Sequence, residues 1–354
     1  MSVFVITYYT LLLGASCLAA YFNKRSIFML AFSLTLVSFV VGIVGGPGAL
    51  RMIAVAAGVL ALAAMVSYAF REFLIALASP EVAKELRTAP LTAAFGMFVI
   101  FTYAVAAIFA PVIAPFGEAE IVSSAFAPAD ENMLLGADQL GRDMFSRLVY
   151  GTRNSVGLAL TATIAAFILG AGAGLLAATK GGWFDQFMGR FADVIMSIPS
   201  LIFALLMLSI FGPTTPVIII AVAIIYAPRV FRLTRAVAGN VVVMDYIEAA
   251  KLRGEGTFYL IRKEILPNCM APLIAEFGLE FCFVFLLVAG LSFLGLGIQP
   301  PTADWGSMVR ENATLISFGD ITPLIPAAAI ALLTVAVNFV VDWMLFRSSG
   351  LKEQ

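Results

Sequence analysis

The chain has 354 residues, of which 62% are hydrophobic and 12% are charged, with a mean hydropathy of +1.01 and a net charge of −1. Soluble domains carry about 25% charged residues, so this composition excludes an ordinary soluble protein, and the near-neutral charge gives no indication of a nucleic-acid partner. The absence of histidine excludes imidazole metal sites and Ser-His triads, and the three cysteines share no short spacing that predicts disulfides or a metal site.

Nine apolar runs are long enough to cross a bilayer, which takes about 20 residues per helix. They lie at 3–22, 27–45, 51–70, 91–113, 154–179, 191–211, 215–231, 270–294 and 322–346. The first run has no basic segment before it and is followed at once by another run, so we interpret it as an ordinary helix and not as a signal peptide. The sequence therefore predicts an all-α polytopic membrane protein with about nine transmembrane helices.

The distribution of lysine and arginine predicts the orientation, because these residues collect on the cytoplasmic side of membrane proteins. If the N-terminus lies outside, 16 of the 21 basic residues fall on the inside and 5 on the outside. The opposite orientation would reverse this ratio. We therefore expect the N-terminus outside and the C-terminus inside.

Three glycines alternate along the run at 154–179, namely Gly170, Gly172 and Gly174. Small residues let membrane helices approach one another closely. We interpret these glycines as packing positions without a role in transport or binding.

A charged segment, EAAKLRGEGTFYLIRKEILPN, separates two apolar runs on the predicted cytoplasmic side, at residues 248–268. Asp245 followed by Glu248 has the spacing of a capping box and predicts that a helix starts there. Gly254 predicts the end of that helix, because glycine accepts the left-handed backbone that a helix terminus often needs.

The second half of this segment predicts another short helix. Thr257 is suited to cap it, and Pro267 marks the start of the next membrane span. The small side chains of Ala249 and Ala250 leave room for the close approach of a partner. A helix, a glycine turn and a second helix favour a docking element, and the alternative is a solvated loop that only connects two spans.

Two carboxylates, Glu276 and Glu280, fall within the apolar run at 270–294. Residues four apart share one face of a helix. Carboxylates at membrane depth are costly and usually face a bundle interior or a wet pathway. They are candidate pathway residues, and the alternatives are a wet position near the cytoplasmic end or a structural contact with a partner chain.

The charged segment resembles the EAA loop of bacterial ABC importer permeases. The resemblance is carried by Glu248-Ala249-Ala250, Gly254 and Leu266-Pro267. Glu264 stands where that loop often has isoleucine, a position that is polar in much of the relevant subfamily.

Three further stretches are similar to the C-type permease subunit of dipeptide, oligopeptide and nickel importers. They are LLGADQLGRDMFSRLVYGTRNSVGLAL (134–160), Ile198-Pro199-Ser200 and LSFLGLGIQPPTADWGSMV (291–309). The resemblance covers roughly residues 91–346, which hold six of the predicted spans.

The resemblance implies a six-helix ABC importer permease domain at 91–354, with the EAA coupling loop at 239–268 contacting an ATPase. It also implies a heterodimer with a B-type permease, two cytoplasmic ABC ATPases and an extracytoplasmic binding protein, in a bacterial inner membrane. Residues 1–90, with three extra helices and a cytoplasmic connector, depart from the family pattern. They are interpreted as a packing or assembly appendage, or alternatively as a regulatory or docking module.

The resemblance further implies that the two outside loops meet the binding protein. Arg142 and Asp143 in the loop at 114–153 are candidate docking residues, and the alternative is that they form a local salt bridge with each other. Asp304 and Trp305 in the loop at 297–320 are the second pair of candidates.

The expected function is a permease that is not itself an enzyme. None of the six lysines follows a glycine, so the chain lacks the G-x-x-x-x-G-K-[ST] loop that binds nucleotide phosphates, and ATP and magnesium are expected in the partner ATPases only. Short peptides are the expected substrates, with nickel chelates, opines and oligosaccharides as alternatives. An ion-coupled secondary transporter that uses Glu276 and Glu280 is the alternative from another class, and an intramembrane enzyme has no supporting motif.

Overall fold

The structure is a computed structural model, which describes Gly14, Phe32, Ser33, residues 48–320 and residues 322–348. The first two predicted spans, 3–22 and 27–45, lie outside the described residues except at Gly14, Phe32 and Ser33. Within the described ranges the chain is helical and has no strand longer than an isolated bridge. This agrees with the prediction of an all-α protein.

The helices follow one another along the chain with short connections. They are α1 (Gly48–Leu77), α2 (Pro80–Arg87), α3 (Leu91–Ile108), α4 (Ala110–Ile113), α5 (Met144–Lys180), α6 (Gly182–Met196), α7 (Ser200–Phe211), α8 (Thr215–Val242), α9 (Asp245–Leu252), α10 (Thr257–Phe293), α11 (Trp305–Asn312) and α12 (Leu324–Ser348). Helices α5 and α10 each contain a π turn, at Thr152–Val156 and Leu260–Ile265.

Six helices of the described part are long and apolar enough to cross a membrane, namely α1, α3, α5, α8, α10 and α12. The predicted span 191–211 is not one straight helix, because α6 and α7 meet at an angle of 85°. Pro199 lies at this break, directly before α7, and proline cannot continue the helical hydrogen bonds. The pair could form a seventh, broken span, so a total of nine helices stays a prediction.

Helix α8 extends to Val242, well beyond the predicted end of its span at residue 231. Arg232 and Arg235 therefore lie on this helix and not in the following loop. Arg232 pairs with Asp193, and Arg235 pairs with Asp185, so two ion pairs join α8 to α6. The predicted span ended too early, because Arg232 and Arg235 lower the mean hydropathy of the residues after 231.

The chain divides into two compact units, Met1–Phe98 and Val99–Gln354. In the first unit α1 packs on α2, and the Arg71 side chain donates a hydrogen bond of 3.1 Å to the carbonyl of Ala89. In the second unit the apolar core is formed mainly by α5, α8, α10, α11 and α12.

The glycines of α5 differ in their surroundings. A methyl group added at Gly170 would lie 2.8 Å from Val230 Cβ, and one added at Gly174 would lie 2.8 Å from Thr234 Cβ, both on α8. A methyl group at Gly172 would meet no atom within 4 Å. The packing prediction is thus confirmed for Gly170 and Gly174 and wrong for Gly172, which faces away from α8.

We expect Gly174→Val to destabilise the folded permease by about 1–3 kcal/mol, because overfilling a packed contact forces the helices apart. The measurement is the thermal unfolding midpoint of the purified protein in detergent. Gly172→Val is the matched control, since it changes helix propensity equally but adds its methyl groups to open space. Equal midpoints for the two variants would contradict close packing at Gly174.

Candidate functional site

Helix α9 begins one residue earlier than the capping-box prediction requires, which would make Asp245 the capping residue. Met244 has extended backbone and directly precedes the helix, and no side chain caps it. Asp245 is the first helical residue, so the predicted capping box is wrong. Asp245 and Glu248 instead lie in the first turn, where negative charge interacts favourably with the helix dipole.

The end of α9 is a glycine turn, as predicted. Gly254 has φ of +85°, in the left-handed region. Its amide donates to the carbonyl of Lys251 at 2.9 Å, and the amide of Glu255 donates to the carbonyl of Ala250 at 3.2 Å. These two bonds are those of a Schellman motif, which satisfies the last carbonyls of a helix.

Ala250 does not face a partner. It is fully buried against its own chain, in an apolar cluster with Ile247, Leu260, Ile265 and others. Ile247 and Ala250 are three residues apart and share the side of α9 that packs on α10. The expectation that Ala250 forms the contact face is therefore wrong, whereas Glu248 and Ala249 are exposed.

The start of α10 also differs from the prediction. Thr257 is its first residue and Gly256 precedes it, so Thr257 does not cap this helix. Leu266 and Pro267 follow the π turn Leu260–Ile265, and the helix continues through them to Phe293. A π turn is a local widening of a helix, and here it ends two residues before Pro267, which has no amide to donate.

Large apolar side chains are exposed around α9. Val243 is 78% exposed, Leu252 is 84% exposed and Phe258 is 75% exposed. Tyr246 and Tyr259 add partly exposed rings. Sequence reasoning passed over these residues, although a clustered apolar surface marks an interaction site. We call Val243, Tyr246, Leu252, Phe258 and Tyr259 the apolar loop surface.

The loop residues predicted to dock a binding protein are buried. Arg142 and Asp143 are 3% and 1% exposed. Arg142 Nε donates to Asp138 Oδ2 at 2.7 Å, and its Nη2 donates to Glu311 Oε2 at 3.0 Å. Asp143 accepts from the amide of Ser146 at 2.7 Å and so caps α5. These contacts contradict the docking role predicted for Arg142 and Asp143. They also contradict the alternative, a salt bridge between these two residues.

Asp304 and Trp305 are buried as well. Asp304 caps α11 by accepting from the amide of Ser307 at 3.0 Å, and the Ser155 hydroxyl donates to its other oxygen at 2.7 Å. Trp305 Nε1 donates to the carbonyl of Leu148 at 2.9 Å. These side chains fasten α11 to α5 and offer no surface to a docking protein in this structure.

A buried group of four charges holds these loops together. Asp138, Arg142, Arg147 and Glu311 form it, and we call it the loop charge cluster. Arg147 Nη2 lies 3.2 Å from Glu311 Oε2, and Arg147 Nε lies 3.4 Å from Asp138 Oδ2. The sequence shows Asp138 and Arg142 at a spacing of four, but Glu311 is too distant along the chain to be paired with them by inspection.

Glu276 and Glu280 share one side of α10, as predicted. Glu280 is 3% exposed and Glu276 is half-buried. Glu280 Oε2 has no hydrogen-bond donor among the residues that the structure describes. Glu280 lies about 35 Å along α10 from Thr257, at about 1.5 Å per residue, and the pathway role of the two carboxylates stays a prediction.

Arg229 on α8 approaches the same side of α10. Its guanidinium carbon lies 5.3 Å from the ring centre of Tyr226 and 5.5 Å from that of Phe283. Phe283 follows Glu280 by three residues, so Arg229 approaches the side of α10 that carries both carboxylates. Sequence reasoning missed Arg229 because it counted the residue with the cytoplasmic basic residues, although it falls inside the predicted span 215–231.

Comparisons with known proteins match this part of the chain. Residues 170–348 match the family described as the binding-protein-dependent transport system inner membrane component. A di/tripeptide transport system permease protein of Pseudomonas aeruginosa is 35% identical over 254 residues, 70% of this chain and 84% of that protein.

Two further relatives are similar over the same extent. A dipeptide transport system permease protein of Alkalihalophilus pseudofirmus is 34% identical over 264 residues, covering 74% of this chain and 86% of the relative. One of Haemophilus influenzae is 34% identical over 257 residues, covering 71% and 87%. The family match includes α9, the apolar loop surface and the charged residues of α8 and α10.

Proposed function

Because the chain belongs to the family of binding-protein-dependent transport system inner membrane components, we propose that it is the C-type permease of an ATP-driven importer of short peptides. The observation that carries this proposal is its 35% identity to a di/tripeptide transport permease over most of both chains. The six apolar helices of the described part fit a multi-pass protein of the inner membrane.

The proposed partners follow from the family. A B-type permease completes the translocation pathway, an extracytoplasmic binding protein delivers the peptide, and two cytoplasmic ATPases bind ATP and magnesium. This chain binds no cofactor itself and performs no hydrolysis. The apolar loop surface supports an ATPase contact, because Leu252 and Phe258 are exposed on a loop that is otherwise rich in charge.

The proposed orientation places the N-terminus outside and the C-terminus and α9 inside, with nine spans in total. The ratio of basic residues supports it, with 15 inside and 5 outside once Arg229, which lies in the middle of α8, is left out of the count. A single cysteine at residue 83, in α2, should react with a membrane-impermeant label only from the cytoplasmic side. Labelling from the outside of intact cells would overturn this topology.

The test of the function is uptake by the reconstituted importer. The permease pair, ATPases and binding protein encoded with this chain are placed in proteoliposomes, and ATP-dependent uptake of a labelled dipeptide is measured. We expect uptake to require every component. Uptake of a nickel chelate, an opine or an oligosaccharide with no uptake of peptides would overturn the substrate, and uptake driven by a proton gradient without ATP would identify a secondary carrier.

A further inference from the structure

Three charged residues lie at the middle of two neighbouring helices. At about 1.5 Å of rise per residue, Arg229 is about 21 Å from Thr215 on α8, and Glu280 is about 20 Å from Phe293 on α10. Thr215 and Phe293 are the ends of these helices away from α9. Since the hydrocarbon core of a bilayer is about 30 Å thick, Arg229 and Glu280 share a depth well inside it, and Glu276 lies one turn away.

The two helices hold these charges on one face. Positions 276, 280 and 283 fall on the same side of α10, and the rings of Phe283 and Tyr226 flank the guanidinium of Arg229. The Tyr226 hydroxyl donates to the carbonyl of Phe283 at 3.1 Å, which fixes α8 against α10 at this level. The positions of the three charges are therefore set by a rigid contact between helices.

Arg229, Glu276 and Glu280 do not neutralise one another by ion pairs within this part of the chain. Among the described residues Arg229 forms no ion pair within 4.0 Å, and Glu280 Oε2 is buried without a donor. A buried polar atom without a partner is unfavourable, and an exposed arginine at membrane depth does not face lipid. This face therefore borders a wet pathway or another protein, and it has unused capacity for both a cation and an anion.

We propose that Arg229, Glu276 and Glu280 form a transient binding site for the two ends of a zwitterionic peptide inside the membrane. The carboxylates receive the terminal ammonium group, and the guanidinium of Arg229 receives the terminal carboxylate, a pairing that arginine makes with two parallel hydrogen bonds. This inference rests on the proposed function and narrows its substrate class. A neutral oligosaccharide has no charges for these groups to compensate.

The dimensions of a dipeptide suit the site. Two residues span at most about 7 Å when extended, and packed helices lie about 8–10 Å apart. A peptide that lies across the outer side of the α8–α10 contact, where Arg229 is exposed and Glu276 half-buried, can therefore reach Arg229 with one end and the carboxylates with the other. Longer peptides would engage one end at a time.

The test uses Glu280→Gln and Arg229→Gln in the complete reconstituted importer, with Ala-Ala as the labelled substrate. We expect dipeptide uptake to fall about tenfold or more in each variant, because one charge-assisted contact is lost, while permease pairing and binding-protein-stimulated ATP hydrolysis stay near wild type. Arg229→Lys should restore part of the uptake, since it keeps the charge but loses the paired geometry. Glu131→Gln, on the exposed loop before α5, is the control for loss of a carboxylate elsewhere.

A substrate without a terminal carboxylate separates the two roles. We expect wild type and Arg229→Gln to carry alanyl-alanine amide equally well. Its uptake is normalised to its occupancy of the binding protein. Unchanged Ala-Ala uptake in both charge variants overturns the site, and so does loss of the permease pair, which would assign the charges to the partner contact. Failure of the wild-type importer to carry any dipeptide overturns the proposed function itself, and this result is read from the wild-type sample alone.

Discussion

Asp138→Asn is expected to lower the free energy of unfolding by about 3–5 kcal/mol, the usual cost of removing one partner from a buried ion pair. Asp138 is fully buried and its Oδ2 faces Arg142 Nε at 2.7 Å and Arg147 Nε at 3.4 Å. Its Oδ1 accepts from the amides of Leu140 and Arg142 at 2.9 and 3.0 Å. Asparagine keeps the size of the side chain but leaves two buried guanidinium groups with Glu311 as their remaining carboxylate.

The measurement is denaturant unfolding of the purified permease in detergent, followed by tryptophan fluorescence, because Trp305 lies at the start of α11, the helix that carries Glu311. Glu131→Gln is the matched control, since it also neutralises an acidic residue of the same loop but at an exposed position. A loss below about 1 kcal/mol for Asp138→Asn, as expected of an exposed pair, would show that the loop charge cluster does not hold the loops together.

Local signals in the sequence were sufficient for features that depend on a few neighbouring residues. The long apolar runs predicted the membrane helices of the described part, and Gly254 predicted the end of α9, because a left-handed backbone is a property of the residue itself. The pairing of Glu276 with Glu280 on one side of α10 likewise follows from helical periodicity alone.

Features that depend on a second segment could not be read in this way. Ala250 looked like a contact residue because it is small, yet only the position of α10 decides that it is buried within the chain. Arg142 and Trp305 looked like surface residues of polar loops, but each finds its partner about 150 residues or more away along the chain, in Glu311 and in the carbonyl of Leu148. Burial of polar loop residues is set by tertiary contacts.

Leu252→Asp is expected to reduce binding-protein-stimulated ATP hydrolysis about tenfold or more. Leu252 is 84% exposed at the end of α9, so a charge there costs the folded permease little. In the proposed complex the same side chain is covered by the ATPase, and an unpaired carboxylate in an apolar contact is strongly unfavourable. Truncation of a hot-spot residue at the centre of an interface weakens binding by about 2 kcal/mol or more, which is more than tenfold in affinity.

Gly254→Val tests the same loop in a different way. The added side chain meets no atom of this chain within 4 Å, so its direct effect is the strain of a left-handed backbone, about 1–2 kcal/mol. This strain should turn α9 away from its native direction and lower the stimulated ATPase rate while the permease pair still assembles. Ala250→Glu is unsuitable for this test, because it places a charge inside the permease and would unfold the loop itself.

The matched control is Leu252→Met, which keeps an apolar side chain of similar volume at the same exposed position. It should retain pull-down of the ATPases and near wild-type stimulation, whereas Leu252→Asp should lose both. Recovery of the intact permease heterodimer in every variant separates loss of coupling from misfolding. If Leu252→Asp and Gly254→Val both bind the ATPases and respond to the binding protein normally, α9 only connects two spans. A surface that contacts an ATPase would not tolerate both a charge at its centre and a change in the direction of its helix.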